Sequence, residues 1–332
     1  MHLDTMRNYW LPIALASSVE FRPKQFKLLG ESIVAYRDNA GPVAFKDLCA
    51  HRGAAVSNGR LAGGNLICPY HGWQYDRSGA CVSIPSLTPG QKIPSKARLV
   101  CYQVKEAYGL IWVCMSAAQA RLTEWPDNAW DRPGFKVSCT GQYLWNANAT
   151  RVIENGLDFS HFNFVHKGLT ELADGPVIKP HKVDTQDDKL TLTYEDGHVS
   201  REYTVDFPFV LHIRKRVVRV EQGATWSSNS DSQCGDITTV SLIASPISDE
   251  QTLFFGFLAR NHSLELSDAE FVSAFNRVLE QDQLIVESQV PKMVPENVGS
   301  ELHVRYGDIG SIAYRRMLRA ARARASERMA HG

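Results

Sequence analysis

The chain has no surplus of charge: 36 Lys and Arg balance 36 Asp and Glu over 332 residues, so nothing global draws it to nucleic acid or to an anionic membrane surface. It has no apolar run near the roughly 20 residues that a membrane span needs. The first residues, Met1-His-Leu-Asp-Thr-Met-Arg7, lack the basic segment and long apolar stretch of a secretory signal. These absences point to a soluble, cytoplasmic protein. Cysteine is sparse and unpatterned over most of the length. Five of the 7 Cys (Cys81, Cys101, Cys114, Cys139 and Cys234) sit at irregular spacing, which suits a reducing compartment better than a disulfide framework. Each reads as a small buried hydrophobe. There is no internal repeat and no low-complexity segment beyond an Ala/Arg-rich tail. What remains, 44% apolar and 22% charged residues, is ordinary globular composition, long enough for two domains of about 100 to 200 residues each.

The other two cysteines are patterned. Cys49-Ala-His51 is followed, after 16 residues, by Cys68-Pro-Tyr-His71. Each half supplies one Cys and one His, whereas structural zinc sites more often pair Cys with Cys and His with His. A two-iron two-sulfur cluster with two Cys on one iron and two His on the other needs this mixture, one ligand to each iron from each loop. With Arg52-Gly53 after the first loop and Gly72-Trp73 after the second, the stretch resembles a Rieske domain. Imidazole on one iron raises the reduction potential well above that of an all-Cys ferredoxin, so the centre accepts electrons readily and passes them on.

Around these loops the sequence predicts short strands at Phe26–Leu29, Ser32–Arg37, Val43–Leu48, Asn65–Cys68, Trp73–Tyr75 and Leu110–Cys114, separated by turn signals such as Gly63-Gly64-Asn65. They describe a small antiparallel β domain over residues 1–120 with the ligand loops at its tip. Residues 121–332 read differently. A strand at Tyr143–Ala149 leads into a helical pattern from Thr150 to Val165. Strands follow at Lys189–Tyr194, Phe209–Val220, Thr238–Ser245 and Thr252–Arg260. A helix capped at Ser267-Asp-Ala-Glu270 runs to Glu287, and another covers Ile309–Arg328. The order helix, strands, long helix predicts an α+β domain with an antiparallel sheet folded around a helix.

A second set of metal-ligating residues lies in Glu154-Asn155-Gly-Leu-Asp158-Phe-Ser-His161-Phe-Asn-Phe-Val-His166. Asp158 and His161 share a helical face. His161 and His166 do not, since five residues turn a helix by about 500°; both reach one metal only if the helix distorts or ends between them. Two His and a carboxylate on one face bind non-haem Fe(II) with positions left open. Taken alone, the pair equally suits a zinc hydrolase or core histidines.

The whole pattern resembles the catalytic (alpha) subunit of Rieske non-haem iron oxygenases. Asp158-x-x-His161-x4-His166 stands about ninety residues past the Cys/His loops, Arg7-Asn-Tyr-Trp10 opens the chain, and Glu280-Gln-Asp282-Gln-Leu-Ile-Val-Glu287 matches the helix that carries the family's carboxylate. The resemblance implies a Rieske cluster on Cys49, His51, Cys68 and His71, and iron on His161, His166 and Asp282. It implies that Asp158 bridges from His161 to His71 of the neighbouring subunit in a homotrimer. Asn155 stands as a further residue beside the iron or on the pocket wall, and Phe275 and Val278 as candidate pocket residues. The fold implied is an antiparallel β Rieske domain followed by a helix-grip-like antiparallel sheet domain with long helices.

The activity implied uses O2 and electrons from NAD(P)H, delivered by a separate reductase with or without a ferredoxin, to hydroxylate or oxidatively demethylate a small aromatic or heterocyclic substrate. The compact length resembles the alpha-only branch with phthalate oxygenase-like and O- or N-demethylase members. Val286-Glu-Ser-Gln-Val-Pro and Tyr314-Arg-Arg-Met-Leu-Arg are similar to N-demethylating members. Dioxygenation stays open, as does a Rieske electron-transfer or redox-sensing protein that leaves the second set unused. The arginines Arg315, Arg316, Arg319, Arg322, Arg324 and Arg328 read chiefly as a solvated helix face.

Overall fold

The computed structural model describes residues 3–116, 121–172, 175–218, 235–295 and 297–331. The chain divides into two compact units, residues 6–122 and residues 123–332 with the first five. In the first unit the described residues form β1 (Leu11–Leu15), β2 (Lys24–Leu28), β3 (Glu31–Asp38), β4 (Gly41–Lys46), β5 (Arg60–Ala62), β6 (Asn65–Ile67), β7 (Gln74–Tyr75), β8 (Cys81–Ser83), β9 (Gln103–Ala107) and β10 (Leu110–Cys114). They pair antiparallel in three small sheets, β1-β10-β9, β2-β3-β4 and β5-β6-β7-β8. Hairpin geometry comes from two-residue loops with both central φ angles positive: Leu29-Gly30, Gly63-Gly64 and Tyr108-Gly109. Such turns match the right-handed twist of the strands they join. The core between the second and third sheets packs Tyr36, Phe45, Val56, Leu66 and Tyr75 around the buried Cys49 and Cys68.

The second unit contains β11 (Lys136–Trp145), α1 (Ala149–Leu157), α2 (Phe162–Val165), β12 (Lys182–Gln186), β13 (Lys189–Asp196), β14 (Val199–Asp206), β15 (Val210–Val218), β16 (Gly235–Pro246), β17 (Thr252–Arg260), α3 (Asp268–Ser288) and α4 (Ile309–His331). Its seven strands form one antiparallel sheet in the order β11-β17-β16-β15-β14-β13-β12. The helices lie on one face. Gly156 of α1 meets Leu211 and Leu242, Gly310 of α4 meets Leu192, and Phe275 of α3 sits over Gly256. The other face is sealed by Trp125 and Trp130, packed edge-on to Phe257.

Several expectations are corrected. The strand placed at Tyr143–Ala149 starts at Lys136 and stops at Trp145, because Asn148 caps α1 by accepting the Thr150 N–H at 3.0 Å. The single helix placed over Thr150–Val165 is two helices, broken at Asp158, whose ψ of 130° is extended. Cys101 and Cys139 are exposed rather than buried; Cys139 lies on the outer edge strand β11, where alternate residues face solvent. Positions 219–220 of the predicted β15 strand and Cys234 lie outside the described residues. Among the described residues no helix is long and apolar enough to cross a membrane.

Gly156 lets α1 touch the sheet. A Cβ there would fall 2.3 Å from Leu211 Cδ2, and Leu211 is fully buried, so the methyl end of that side chain has to repack among its neighbours. Helix propensity favours Ala over Gly by about 1 kcal/mol, but overpacking a tight contact destabilises by about 1–3 kcal/mol. Gly156→Ala is therefore expected to lower the free energy of unfolding by up to about 2 kcal/mol in urea titration, against the sign that propensity alone would give.

Candidate active site

The two Cys/His loops share one backbone frame. The Cys49 N–H donates to Ala54 O at 2.8 Å and the Gly53 N–H to Cys49 O at 2.9 Å; the Cys68 N–H donates to Trp73 O at 2.9 Å and the Gly72 N–H to Cys68 O at 3.1 Å. Both glycines adopt φ +70°, a conformation that L side chains rarely take, which closes each loop over its own cysteine. Within this common frame His51 stands two residues after its Cys and His71 three after its own. The Nδ1 atoms of the two rings are 3.2 Å apart. Both histidines are exposed, while the two thiols are buried at 3% and 2%. Trp73 stacks flat on His51, with ring centroids 4.6 Å apart. Tyr75 Oη lies 3.1 Å from Cys49 Sγ. Asp47 braces the first loop by accepting from Ser57 N at 2.8 Å and Ser57 Oγ at 2.6 Å.

Burial pushes the Cys68 thiol above its ordinary value, so the thiolate needs a cation beside it. Two inward sulfurs and two converging Nδ1 atoms fit a two-iron cluster with mixed ligation.

In the second unit the break between α1 and α2 sets the geometry. Asp158 leaves the helix as its C-cap, and His161 and His166 flank the single turn of α2. The rings then converge: His161 Nε2 lies 3.2 Å from His166 Nε2. Asp282 Oδ1, arriving from α3, is 3.1 Å from His166 Nε2 and 3.5 Å from His161 Nε2. An ion about 2.1 Å from three donors at near-octahedral angles would hold them about 3.0 Å apart, so this set can take one divalent metal. Among the nearby acids, Asp268 pairs with Arg260 and Lys136, and Glu270 and Glu280 are exposed. Asp282 alone of these four points inward.

Each imidazole uses its other nitrogen. His161 Nδ1 bonds Asp158 Oδ2 at 3.1 Å, and His166 Nδ1 bonds Gln281 Oε1 at 2.9 Å. These contacts orient the rings and fix their tautomers. Gln281 escaped the sequence reading, which searched for ligands and not for the neutral acceptor beside one. Asn155 Nδ2 reaches Asp282 Oδ1 only at 3.4 Å, a long contact. Phe275 is buried against Gly256, and Val278 is half-buried.

A cavity of about 300 Å³ opens on Asp158 and His161 and is walled by Arg151, Glu154, Glu301 and Arg315. These four form a closed ionic network: Arg315 bonds Glu154 at 2.6 Å and Glu301 at 2.5 Å, and Arg151 bonds the same two acids at 3.0 and 2.6 Å. Arg315, expected on a solvated face, is thus 4% exposed, because α4 turns it toward two acids that no local pattern places there. The side chain of Arg328 lies outside the described residues.

Fold and site together define a two-centre iron oxygenase: a cluster-binding β unit joined to a sheet unit with a two-His one-carboxylate set. Profiles of known families agree, with the Rieske [2Fe-2S] domain matching residues 9–103 and the vanillate O-demethylase oxygenase C-terminal domain matching residues 145–324. The chain belongs to the Rieske non-haem iron oxygenases, in their demethylase-like alpha-subunit branch. It is 32% identical to the methylxanthine N1-demethylase NdmA of Pseudomonas putida, over 95% of this chain and 89% of that protein. Identity to the N3-demethylase NdmB of the same organism is 30%, over 86% and 82%. The solved structure of NdmA with caffeine superposes with TM-score 0.81 at 29% identity, covering 96% of this chain and 91% of that one. Dicamba monooxygenase, at 19% identity and TM-score 0.77, shares the fold. The protein is an oxygenase with a Rieske cluster and mononuclear iron. It uses O2 and electrons from NAD(P)H through a reductase to hydroxylate or oxidatively demethylate a small aromatic or heterocyclic substrate.

Burial lowers the affinity of His161 for a proton, but Asp158 and Asp282 outweigh it and hold the group up at about 9. A metal at Nε2 must displace that proton. Divalent-ion affinity of the metal-free protein is therefore expected to rise with pH and level off near 9, as titration with Co(II) would show. Asp158→Asn removes one of the charges holding the proton and is expected to move that plateau to lower pH; an unmoved plateau would refute the coupling.

Proposed function

We propose that this oxygenase removes a methyl group from nitrogen or oxygen on a small aromatic or heterocyclic ring. The catalytic set is His161, His166 and Asp282 on the mononuclear iron, within a domain of residues 121–332. Cys49, His51, Cys68 and His71 hold the cluster, within a domain of residues 1–120. When bound, the cluster supplies single electrons and the mononuclear iron supplies O2 activation. The chain's own residues hold the donors in place. Asp158 and Gln281 fix His161 and His166, and α3 presents Asp282 between them. One oxygen atom enters the methyl carbon and the other leaves as water, with two electrons and two protons consumed. The hydroxymethyl product then breaks its bond to nitrogen or oxygen and releases formaldehyde.

The observation that carries this reading is the three-donor cluster, whose imidazoles are each oriented from behind. Support for demethylation comes from the relatives, two of which are named for taking methyl groups from N1 and N3 of methylxanthines. A third is named as a 5,5'-dehydrodivanillate O-demethylase oxygenase subunit, 30% identical over 58% of this chain. Asp158 faces a cavity, and the ring of His71 is exposed at its loop tip. We read these as the two ends of a bridge between neighbouring subunits of a homotrimer, with the reductase, directly or through a ferredoxin, feeding the cluster.

The test combines metal analysis with turnover. Three irons and two acid-labile sulfides per chain are expected, with a reduced-state paramagnetic signal of low average g. With a compatible reductase and NADH, a methylated aromatic should draw O2 and yield formaldehyde one for one. Asp158→Asn should leave the cluster signal intact and cut turnover by at least a hundredfold. A cluster with no second iron after anaerobic reconstitution, and no substrate-dependent O2 uptake, would favour an electron-transfer protein instead.

A further inference from the structure

The helix-facing side of the seven-stranded sheet can be followed row by row from its register. Nearest the helix contacts lies the row Leu211, Leu242 and Gly256. The next is Tyr203, Ile213, Val240 and Leu258, and the third is Arg201, Lys215, Thr238 and Arg260. Successive rows on one face are about 7 Å apart, two residues along a strand.

Helices bound this area on both sides. The Arg201 guanidinium lies 6.0 Å from the Phe162 ring, which itself sits 5.0 Å from His161 and 5.7 Å from His166. Across the sheet, Arg260 lies 4.1 Å from the ring of Phe271 on α3. Between these flanks Ile213 and Val240 are only half-buried. Their neighbours on the opposite face are sealed, with His212 at 2% and Thr239 and Ser241 at 0% exposure. An apolar pair left accessible at the centre of a helix-covered sheet, beside the metal donors, is the wall of a pocket.

The charges in the third row do not cancel. Arg201 bonds Asp196 at 2.9 Å; Arg260 bonds Asp268 at 2.8 Å, which Lys136 shares at 3.0 Å. Lys215, between the two arginines, makes no hydrogen bond or ion pair among the described residues; the carboxylate that acts on it, Asp196, is already bonded to Arg201, and Asp236, one pair further out, has a partner of its own. The Lys215 side chain is accessible to solvent, yet burial and the adjacent Arg201 lower its affinity for a proton, with Asp196 offsetting them only in part. A lysine that is both accessible and surrounded lines a concavity.

The geometry points to an anionic substrate: an N- or O-methylated aromatic or heterocyclic carboxylate, with its ring against Ile213, Val240 and Leu258 and its carboxylate on Lys215. This rests on the demethylase reading and assigns the substrate class for that same site. Lys215 is then a specificity-determining residue, about 7 Å beyond the apolar row.

The test is binding by calorimetry to the fully loaded oxygenase, without reductase, using two isosteric pairs: 4-methoxybenzoate with 4-methoxybenzamide, and 1-methylindole-3-carboxylate with its carboxamide. Each acid is expected to bind at least about tenfold tighter than its amide, with a preference that weakens as salt is raised. Lys215→Met should bring the ratio to about one, chiefly by weakening the acids, and Lys215→Arg should keep the preference. Equal binding of acid and amide, no binding of any probe, or a preference that survives Lys215→Met would overturn the assignment. Those results would leave demethylation standing if neutral substrates still yield formaldehyde. Absent O2 uptake with every methylated substrate would instead sink the demethylase reading.

Discussion

Two imidazoles, His166 buried and His161 half-buried, that share one carboxylate oxygen make the interaction on which this structure depends. Asp282 Oδ1 lies within 3.5 Å of both His161 and His166. Burial by itself would raise the proton affinity of Asp282, and the facing imidazoles outweigh it, so the carboxylate stays ionised. The same contest keeps Asp158 ionised behind His161. Such a set is stable only with positive charge at its centre, either protons or a metal. That requirement dictates the local chain path. α1 must stop at Leu157, Asp158 must turn into extended backbone, and α2 must be a single turn so that its two flanking histidines point the same way.

The rest of the second unit brings α3 to that point and holds it there. Gly256 leaves room on the sheet for Phe275, and Asn276 accepts from Tyr143 Oη at 2.5 Å, so α3 is docked one to two turns before Asp282. Gly156 brings α1 down onto Leu211 and Leu242. Behind Asp158, the Arg151–Glu154–Arg315–Glu301 network ties α1 to α4 and to the segment after α3. Burial by itself would raise Glu301, but Arg151 and Arg315 together outweigh it and hold it down at about 2, so Glu301 stays ionised over the physiological range. Buried ion pairs add little net stability but specify one arrangement strongly, because a misplaced partner leaves a charge uncompensated. Specification is what a three-donor set drawn from two separate helices requires.

The cluster unit meets its need differently. There the two ligand loops repeat one frame of backbone hydrogen bonds, and the difference between Cys-x-His and Cys-x-x-His is accommodated inside it. Local chain geometry is nearly sufficient, with Asp47, Tyr75 and Trp73 steadying the loops from outside. This is why the Cys/His spacing was readable as a cluster site without any knowledge of the fold.

Legibility followed the range of the interactions. The apolar strand Thr252–Arg260 was found; β9 and β12, nearly all polar, and β14 were missed, because their pairing is decided by neighbours across the sheet and by turns such as Tyr108-Gly109, and the short apolar β1, interrupted by Pro12, was missed as well. The amphipathic run from Thr150 to Val165 concealed a break, since helical periodicity does not report where two histidines must converge. By itself the sequence singled out Cys49, His51, Cys68, His71, Asp158, His161 and His166 as candidates, because their short spacings depend only on local chain reach, whereas Asp282 came from the resemblance of its helix to the family's. Only the tertiary structure decided that Gln281 backs His166, that Arg315 is buried in an ion network, and that Lys215 lies between Arg201 and Arg260 in one row of the sheet. Those facts depend on register and helix docking between residues far apart in the chain, where burial and charge compensation, not spacing, set the arrangement.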